Sequence, residues 1–178
     1  MNKHNILLAE NTLTYLEKNS WNKITIDKII PKGKKININK KIDLLININR
    51  YFDFKLKQNI SSLENSSSKD MLFEVLMARF DILNSYRNSI KNLFKYIQSK
   101  PYEFVALIPS FVESIILIAT ISGIDISGFK SLPKIKVILI LYFITMFTWI
   151  NDESEYLEKT MTTLDRYLAQ IDKLIKIA

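Results

Sequence analysis

The sequence contains no cysteine, a single histidine and only three glycines. Without cysteine the chain has no disulfide, no thiolate metal site and no thiol nucleophile. The one histidine, His4, lies near the N-terminus, so the usual general base and most zinc or iron sites are missing as well. Three glycines do not make a Gly-rich phosphate-binding loop. These absences argue against an enzyme, and we expect no catalytic cofactor and no metal.

Positive charge is concentrated in the first third of the chain. Residues 1–60 contain 12 Lys and Arg against 5 Asp and Glu, whereas residues 61–178 contain 13 of each kind. A basic patch suggests contact with nucleic acid or with an anionic membrane. A compositional bias toward Lys, Asn and Ile explains the same counts without any function. No secretory signal is visible at the N-terminus, so we expect a cytoplasmic protein.

Hydrophobic spacing predicts helices along most of the chain. Apolar residues recur every three or four positions within residues 3–18, 41–63, 70–98 and 155–177, and residues 24–30 form a shorter segment of the same kind. Pro31 and Gly33 end that short helix, and Pro101 ends the helix predicted over 70–98. We therefore expect an all-α fold with an N-terminal unit at residues 1–63 and a C-terminal bundle at residues 69–178.

Two further segments are apolar on nearly every side. Lys134–Ile150 has no charge after Lys136, and an apolar run of this length is more often a buried helix than a membrane span. We expect other helices to enclose it at the centre of the domain. In Tyr102–Gly123, Pro109 is expected to bend or divide the helix. Glu113 should be paired, protonated or at an edge, and these two residues argue against a span there.

Two motifs resemble the bacterial relatives of the ninth coenzyme Q biosynthesis protein. Asp70–Asp81, which reads DMLFEVLMARFD and is followed by Arg87, is similar to that family's D-x-LFE-x-LM-x-RFD…R pattern. Asp152–Arg166 is similar to the family's closing D-x-S…L-x-KTM-x-x-LDR segment. The similarity extends from about Thr25 to Leu168. The family's Trp-Tyr pair ahead of the central helix is replaced here by Ser131-Leu132.

The resemblance implies a fold like that of TetR regulators, with a helix-turn-helix unit followed by a helical ligand-binding domain. It implies a non-catalytic protein that binds an isoprenoid or phospholipid and presents quinone precursors to a membrane hydroxylase in ubiquinone biosynthesis. Such a protein would be peripheral to the inner membrane and a homodimer through its last two helices, Lys134–Ile150 and Glu155–Ile177. The candidate lipid-binding residues are apolar and lie on the expected helices: Leu76, Phe80, Leu107, Phe111, Ile115, Ile118, Leu141 and Ile144.

Two alternatives to the lipid-binding function stay open. Many bacterial relatives are described as TetR-type transcriptional regulators, for which the candidate phosphate contacts are Lys34, Lys35, Lys40 and Lys41. The short stretch between Gly33 and the next helix leaves little room for a recognition helix. A purely structural helical partner protein would bind no lipid, and its apolar residues would be an ordinary core. Two arginines of the first motif serve either partner docking or no specific role, and we expect ordinary exposed charges: Arg79 and Arg87.

Overall fold

The computed structural model describes residues 1–30, 38, 40–60, 67–128 and 131–177, with side chains described as far as residue 171. All regular structure in these residues is helical, which confirms the all-α prediction. The α-helices are α1 (Lys3–Lys18), α2 (Ile26–Ile29), α3 (Ile42–Asn59), α4 (Ser68–Asn84), α5 (Arg87–Ser99), α6 (Pro101–Val105), α7 (Ile108–Ile121), α8 (Ser131–Ile150) and α9 (Glu158–Ile177). A short 3₁₀ helix at Trp21–Lys23 follows α1.

The chain forms two compact units. Unit 1 comprises Met1–Lys57 and Ile82–Phe111, and unit 2 comprises Gln58–Asp81 and Val112–Ala178. Each unit therefore joins two separate stretches of chain, whereas the domains predicted at residues 1–63 and 69–178 are contiguous.

The core of unit 1 is built on α1 and α5. The bounds of α1 agree with the predicted helix over residues 3–18. Its buried leucines include Leu13 and Leu16, and α5 packs along the same face. The Ser89 hydroxyl donates to the Leu13 carbonyl at 2.7 Å, and the Asn92 amide donates to the Leu16 carbonyl at 2.8 Å. Asn92 thus satisfies the Leu16 carbonyl, one of the last four of α1 that have no partner within the helix, and Ser89 adds a second bond to the Leu13 carbonyl.

The predicted helix over residues 70–98 is wrong in one respect, because the structure divides it into α4 and α5. Tyr86 has φ −122° and ψ 27°, outside the helical range. Its hydroxyl lies 2.9 Å from the Tyr51 hydroxyl, which in turn donates to Glu10. Asn84 and the serine after it compete for backbone hydrogen bonds, and Arg87 donates to the Asn84 side-chain oxygen at 2.9 Å. The side-chain hydrogen bonding around Asn84 and the contact between the Tyr86 and Tyr51 hydroxyls together explain why α4 ends here.

Pro109 divides the predicted helix at its N-terminal end, as one of the two expected outcomes. α6 ends at Val105, and α7 begins at Ile108 with Pro109 in its first turn, where the missing N–H has no helical acceptor in any case. At the other end of α7, Gly123 has φ +67°. The Ile124 N–H donates to the Ala119 carbonyl at 3.0 Å, which is the glycine-dependent ending expected at a helix C-terminus.

Helix α8 is not enclosed on all sides by the rest of the chain, so that expectation is wrong. It begins at Ser131, earlier than predicted, with Pro133 in its first turn. One side is buried through Leu141, Tyr142 and Trp149. On the other side Ile140 and Phe147 are 59% and 58% exposed. By length and composition alone α8 also suffices to cross a membrane, a test that core helices of soluble proteins pass as well.

Helix α9 begins at Glu158, slightly later than predicted. The apolar residues that recur every three or four positions in this predicted helix form its seam, and three of them are buried: Leu157, Leu164 and Leu168. Met161, which belongs to the same predicted seam, is exposed. The side chain of Leu174, the last member of that seam, lies outside the described residues. Helices α8 and α9 pack against each other.

Candidate functional site

The candidate lipid-binding residues occupy buried or half-buried positions. Six of the eight are buried, and Phe111 and Ile144 are half-buried. Leu107 and Phe111 belong to unit 1, where the Phe111 ring lies 5.6 Å from the Phe104 ring. The structure brings the other six into unit 2: Leu76, Phe80, Ile115, Ile118, Leu141 and Ile144.

Phe80 is at the centre of an aromatic cluster in unit 2. Its ring stacks on Tyr142, with centroids 5.6 Å apart and an interplanar angle of 19°. Its other aromatic neighbour is Trp149, with centroids 6.4 Å apart. All three side chains are buried. Offset stacking of this kind contributes about 0.5–1.5 kcal/mol beyond the burial of area, so the cluster joins α4 to α8.

The sequence-based selection missed two of these residues, Tyr142 and Trp149. Their spacing already indicated that they share one side of a helix, since Tyr142, Thr145 and Trp149 follow each other at intervals of three and four. Thr145 is buried on the same side, and its hydroxyl donates to the Leu141 carbonyl at 2.9 Å. The aromatic side of α8 thus faces the core of unit 2, while Ile140 and Phe147 face away from it.

Asp152 organises the turn between α8 and α9. Its carboxylate is only 1% exposed and accepts hydrogen bonds from the N–H and hydroxyl groups of both Ser154 and Thr160. The Thr160 bonds measure 2.8 and 2.7 Å and belong to the first turn of α9, where unpaired N–H groups and the helix dipole favour a carboxylate. Residues that carry the resemblance in the second motif are therefore also explained by helix capping.

The same hydrogen bonds keep Asp152 ionised. Burial by itself raises the pKa of the carboxyl group, but the hydrogen bonds from Ser154 and Thr160 outweigh it and lower the pKa to about 2. Next to this turn, Leu157 has φ +54°, a conformation that a branched side chain rarely adopts. Its side chain is buried, so packing holds the strained backbone in place.

Both arginines of the first motif are less exposed than expected, whereas the position of Glu113 in α7 agrees with one of its expected positions. Arg79, expected to be an ordinary exposed charge, is almost completely buried, so that expectation is wrong. Arg87 is half-buried and donates to Asn84. Glu113 is exposed, which agrees with the edge position considered for it. An exposed carboxylate keeps its hydration and needs no buried partner.

The four candidate phosphate-binding lysines have different surroundings. Lys34 and Lys35 lie outside the described residues. Lys40 is exposed. Lys41 is half-buried, donates to the Trp21 carbonyl and places its ammonium 4.8 Å from the centre of the Trp21 ring. Burial lowers the pKa of Lys41; the positive charge of Lys100 acts in the same direction, and the Glu103 carboxylate opposes both.

Comparison with known proteins leaves the family of this chain open. No protein-family model matches the sequence, and none of the curated proteins matches it. The similarity to the coenzyme Q biosynthesis family therefore stays a prediction from the two motifs. In the part of the chain that the structure describes, no three His, Asp or Glu side chains are grouped so as to hold a metal ion.

Proposed function

We propose that this chain is a non-catalytic lipid-binding protein that takes up a prenyl-quinone precursor for a membrane hydroxylase of ubiquinone biosynthesis. The observation that carries the proposal is the apolar surface of α8. This helix is apolar on both sides, yet the protomer buries only the side of Leu141, Tyr142 and Trp149. Soluble monomers seldom leave large contiguous apolar surfaces uncovered, so surplus apolar surface points to an apolar ligand or partner.

The proposed mechanism is transfer of the isoprenoid chain from the bilayer to apolar side chains of the protein. Candidate contacts are the six buried or half-buried residues of unit 2 named above. Each CH₂ group sheltered from water lowers the free energy of the extracted lipid by about 0.8 kcal/mol. A protein acting in this way needs no catalytic residue and works at the surface of the inner membrane.

The direct test is mass spectrometry of the intact protein, purified without detergent and sprayed under native conditions. We expect a bound lipid whose fragmentation gives isoprene units. An Ile144→Asp variant should lose it, because a carboxylate in an apolar contact is costly, whereas an Asp165→Asn control on exposed α9 surface should keep it. Wild-type protein that carries no lipid, and takes up none from prenyl-quinone vesicles, would refute the proposal and favour a purely structural role.

The proposal includes a TetR-like fold and a homodimer formed by α8 and α9. In this dimer the second copy covers the outward side of α8, and the isoprenoid chain lies against its inward side. The exposed apolar side chains that the dimer would cover are Ile140, Phe147 and Met161. Sedimentation velocity should give a dimer for the wild type and a monomer for Phe147→Glu. Val105→Glu, an equally exposed position in unit 1, should remain dimeric. A wild-type monomer would contradict this part of the proposal.

A second candidate function is that of a TetR-family DNA-binding regulator with an apolar ligand pocket. The charge of unit 1 favours it, since this unit contains 16 Lys and Arg against 6 Asp and Glu. A gel shift with the DNA upstream of its own coding region, at two salt concentrations, separates the two functions. Binding that is sequence-selective and survives about 200 mM salt would support the regulator; weak, unselective binding lost at that salt reflects charge alone.

A further inference from the structure

The segment that joins α5 to α7 exposes only apolar side chains. It consists of α6, the turn at Ala106 and Leu107, and the first turn of α7. Tyr102 is 67% exposed and Val105 is 61% exposed. The exposed residues of this segment, here called the α6 surface, are Pro101, Tyr102, Val105, Ala106, Ile108 and Pro109. None of them is charged, which is unusual for a surface segment of a strongly basic unit.

The one charged residue within the segment is directed toward the protein. Glu103 is half-buried, and its carboxylate accepts a hydrogen bond of 2.6 Å from the hydroxyl of Tyr96. Tyr96 is itself buried against Trp21 at a centroid distance of 6.3 Å. Burial and the bond to Glu103 raise the pKa of Tyr96 to about 12. The acid of α6 is therefore held by an interior hydroxyl, and the outward side of the segment stays free of negative charge.

Basic residues precede this surface in the chain and belong to the same unit. The stretch that leads into it, residues 82–100, contains Arg87, Lys91, Lys95 and Lys100 and no Asp or Glu. Lys100 directly precedes α6, with its ammonium 5.6 Å from the centre of the Tyr96 ring. Unit 1 as a whole has a formal net charge of +10, whereas unit 2, with 9 Lys and Arg against 12 Asp and Glu, has −3. The α6 surface is therefore an apolar patch in the basic unit of the protein.

An anionic lipid bilayer matches this combination better than nucleic acid does. Phosphates of DNA are contacted by cations and polar groups, and exposed Val and Ile side chains add nothing to such contacts. In a bilayer, aliphatic side chains enter the interfacial region, tyrosine lies at the boundary with water, and lysines contact anionic headgroups. α6 is only five residues long, which suits a shallow insertion and is far too short to span.

We propose that the α6 surface is the site at which this protein docks on an anionic lipid bilayer, with Tyr102, Val105 and Ile108 inserted at the interface and the lysines of α5 and Lys100 against the headgroups. This inference rests on the proposed function only in taking a membrane as the partner. It adds the place of contact, the kind of lipid headgroup and the residues that make the contact.

The test is co-sedimentation of the full-length protein with vesicles of phosphatidylcholine alone and of phosphatidylcholine mixed with phosphatidylglycerol. We expect binding to the mixed vesicles that weakens with salt. Serine substitution of both Tyr102 and Val105 should reduce it about tenfold or more, because two exposed apolar groups no longer enter the interface. Lys95→Gln should reduce it about fivefold, on the anionic vesicles only. Tyr156→Ser, which removes an equally exposed tyrosine of unit 2, should bind like the wild type.

A second measurement gives a signal that does not depend on losing binding. Tyr102→Trp should shift its fluorescence to shorter wavelength when mixed vesicles are added, and Tyr156→Trp should not. The proposal is overturned if the wild type binds duplex DNA but no vesicles, or if the double serine variant binds vesicles normally. It is also overturned if the fluorescence of Tyr156→Trp shifts on addition of vesicles and that of Tyr102→Trp does not. Bound lipid in the double serine variant is measured separately by native mass spectrometry. If neither the wild type nor any variant carries bound lipid, the proposed function is refuted, but the proposed docking site is not affected.

Discussion

Replacing Asp152 by asparagine should destabilise the protein by an amount that depends on pH. The pKa of Asp152 lies at about 2 instead of 3.8. At 1.36 kcal/mol per pH unit, this difference makes the ionised carboxylate worth about 2–3 kcal/mol of folding free energy at pH 7. Asparagine keeps one acceptor oxygen but loses the charge and turns an NH₂ group toward the donors of Ser154 and Thr160. Urea unfolding followed by circular dichroism should therefore show a loss of about this size at pH 7.

The sign of the pH dependence follows from the lowered pKa. A carboxyl group whose pKa is lower in the folded state stabilises the fold above its unfolded pKa, and this contribution disappears as the pH falls toward about 2. The difference between wild type and Asp152→Asn should accordingly shrink between about pH 4 and pH 2. Asp165→Asn, an exposed acid on α9, should match the wild type throughout. A pH-independent difference, or a variant as stable as the wild type at pH 7, would refute the capping role.

Four further substitutions test packing and backbone conformation in the two units by the same unfolding measurement. Phe80→Ala should lower the free energy of unfolding by about 3–5 kcal/mol, because its buried ring packs against two aromatic neighbours; a loss below 1 kcal/mol would mean that this region is loosely packed. Asn49→Ala should cost about 1–3 kcal/mol, since the buried amide donates to the carbonyl and hydroxyl of Ser110 at 3.0 and 2.9 Å. Gly123→Ala and Gly128→Ala should each cost about 1 kcal/mol, because both have positive φ while a Cβ at either meets no atom closer than 3.7 Å. A much larger cost at Gly123 than at Gly128 would contradict that explanation.

Helices with one apolar side were predictable from the sequence. The spacing over residues 3–18 reproduces α1. In α3 the apolar residues that recur every three or four positions are buried, as that spacing predicts: Leu45, Ile48, Phe52 and Leu56. In such amphipathic helices the spacing of apolar residues identifies the buried side, because only one side is apolar. The helix bounds differ from the prediction by a few residues at most in these cases, as is usual where the terminal turn depends on capping.

Two features of the structure could not be predicted from the sequence, because they depend on tertiary contacts. The break before α5 depends on Tyr86, whose hydroxyl meets Tyr51 on a different helix. In α8 nearly every residue is apolar, so composition gives no preferred side, and only packing against Phe80 selects Tyr142 and Trp149 for burial. For the same reason the sequence could predict that the candidate lipid-binding residues are apolar, but it could not predict which of them lie close together in the folded protein.

The protein contains two tryptophans, and they fall in different compact units: Trp21 in unit 1 and Trp149 in unit 2. Both indoles are shielded from water, so each should emit at short wavelength in the native state and shift to the red when its own surroundings melt. Replacing either one by phenylalanine leaves a single natural optical reporter for the other half of the molecule. Comparing the two melting curves then reveals whether the halves come apart in one step or in sequence.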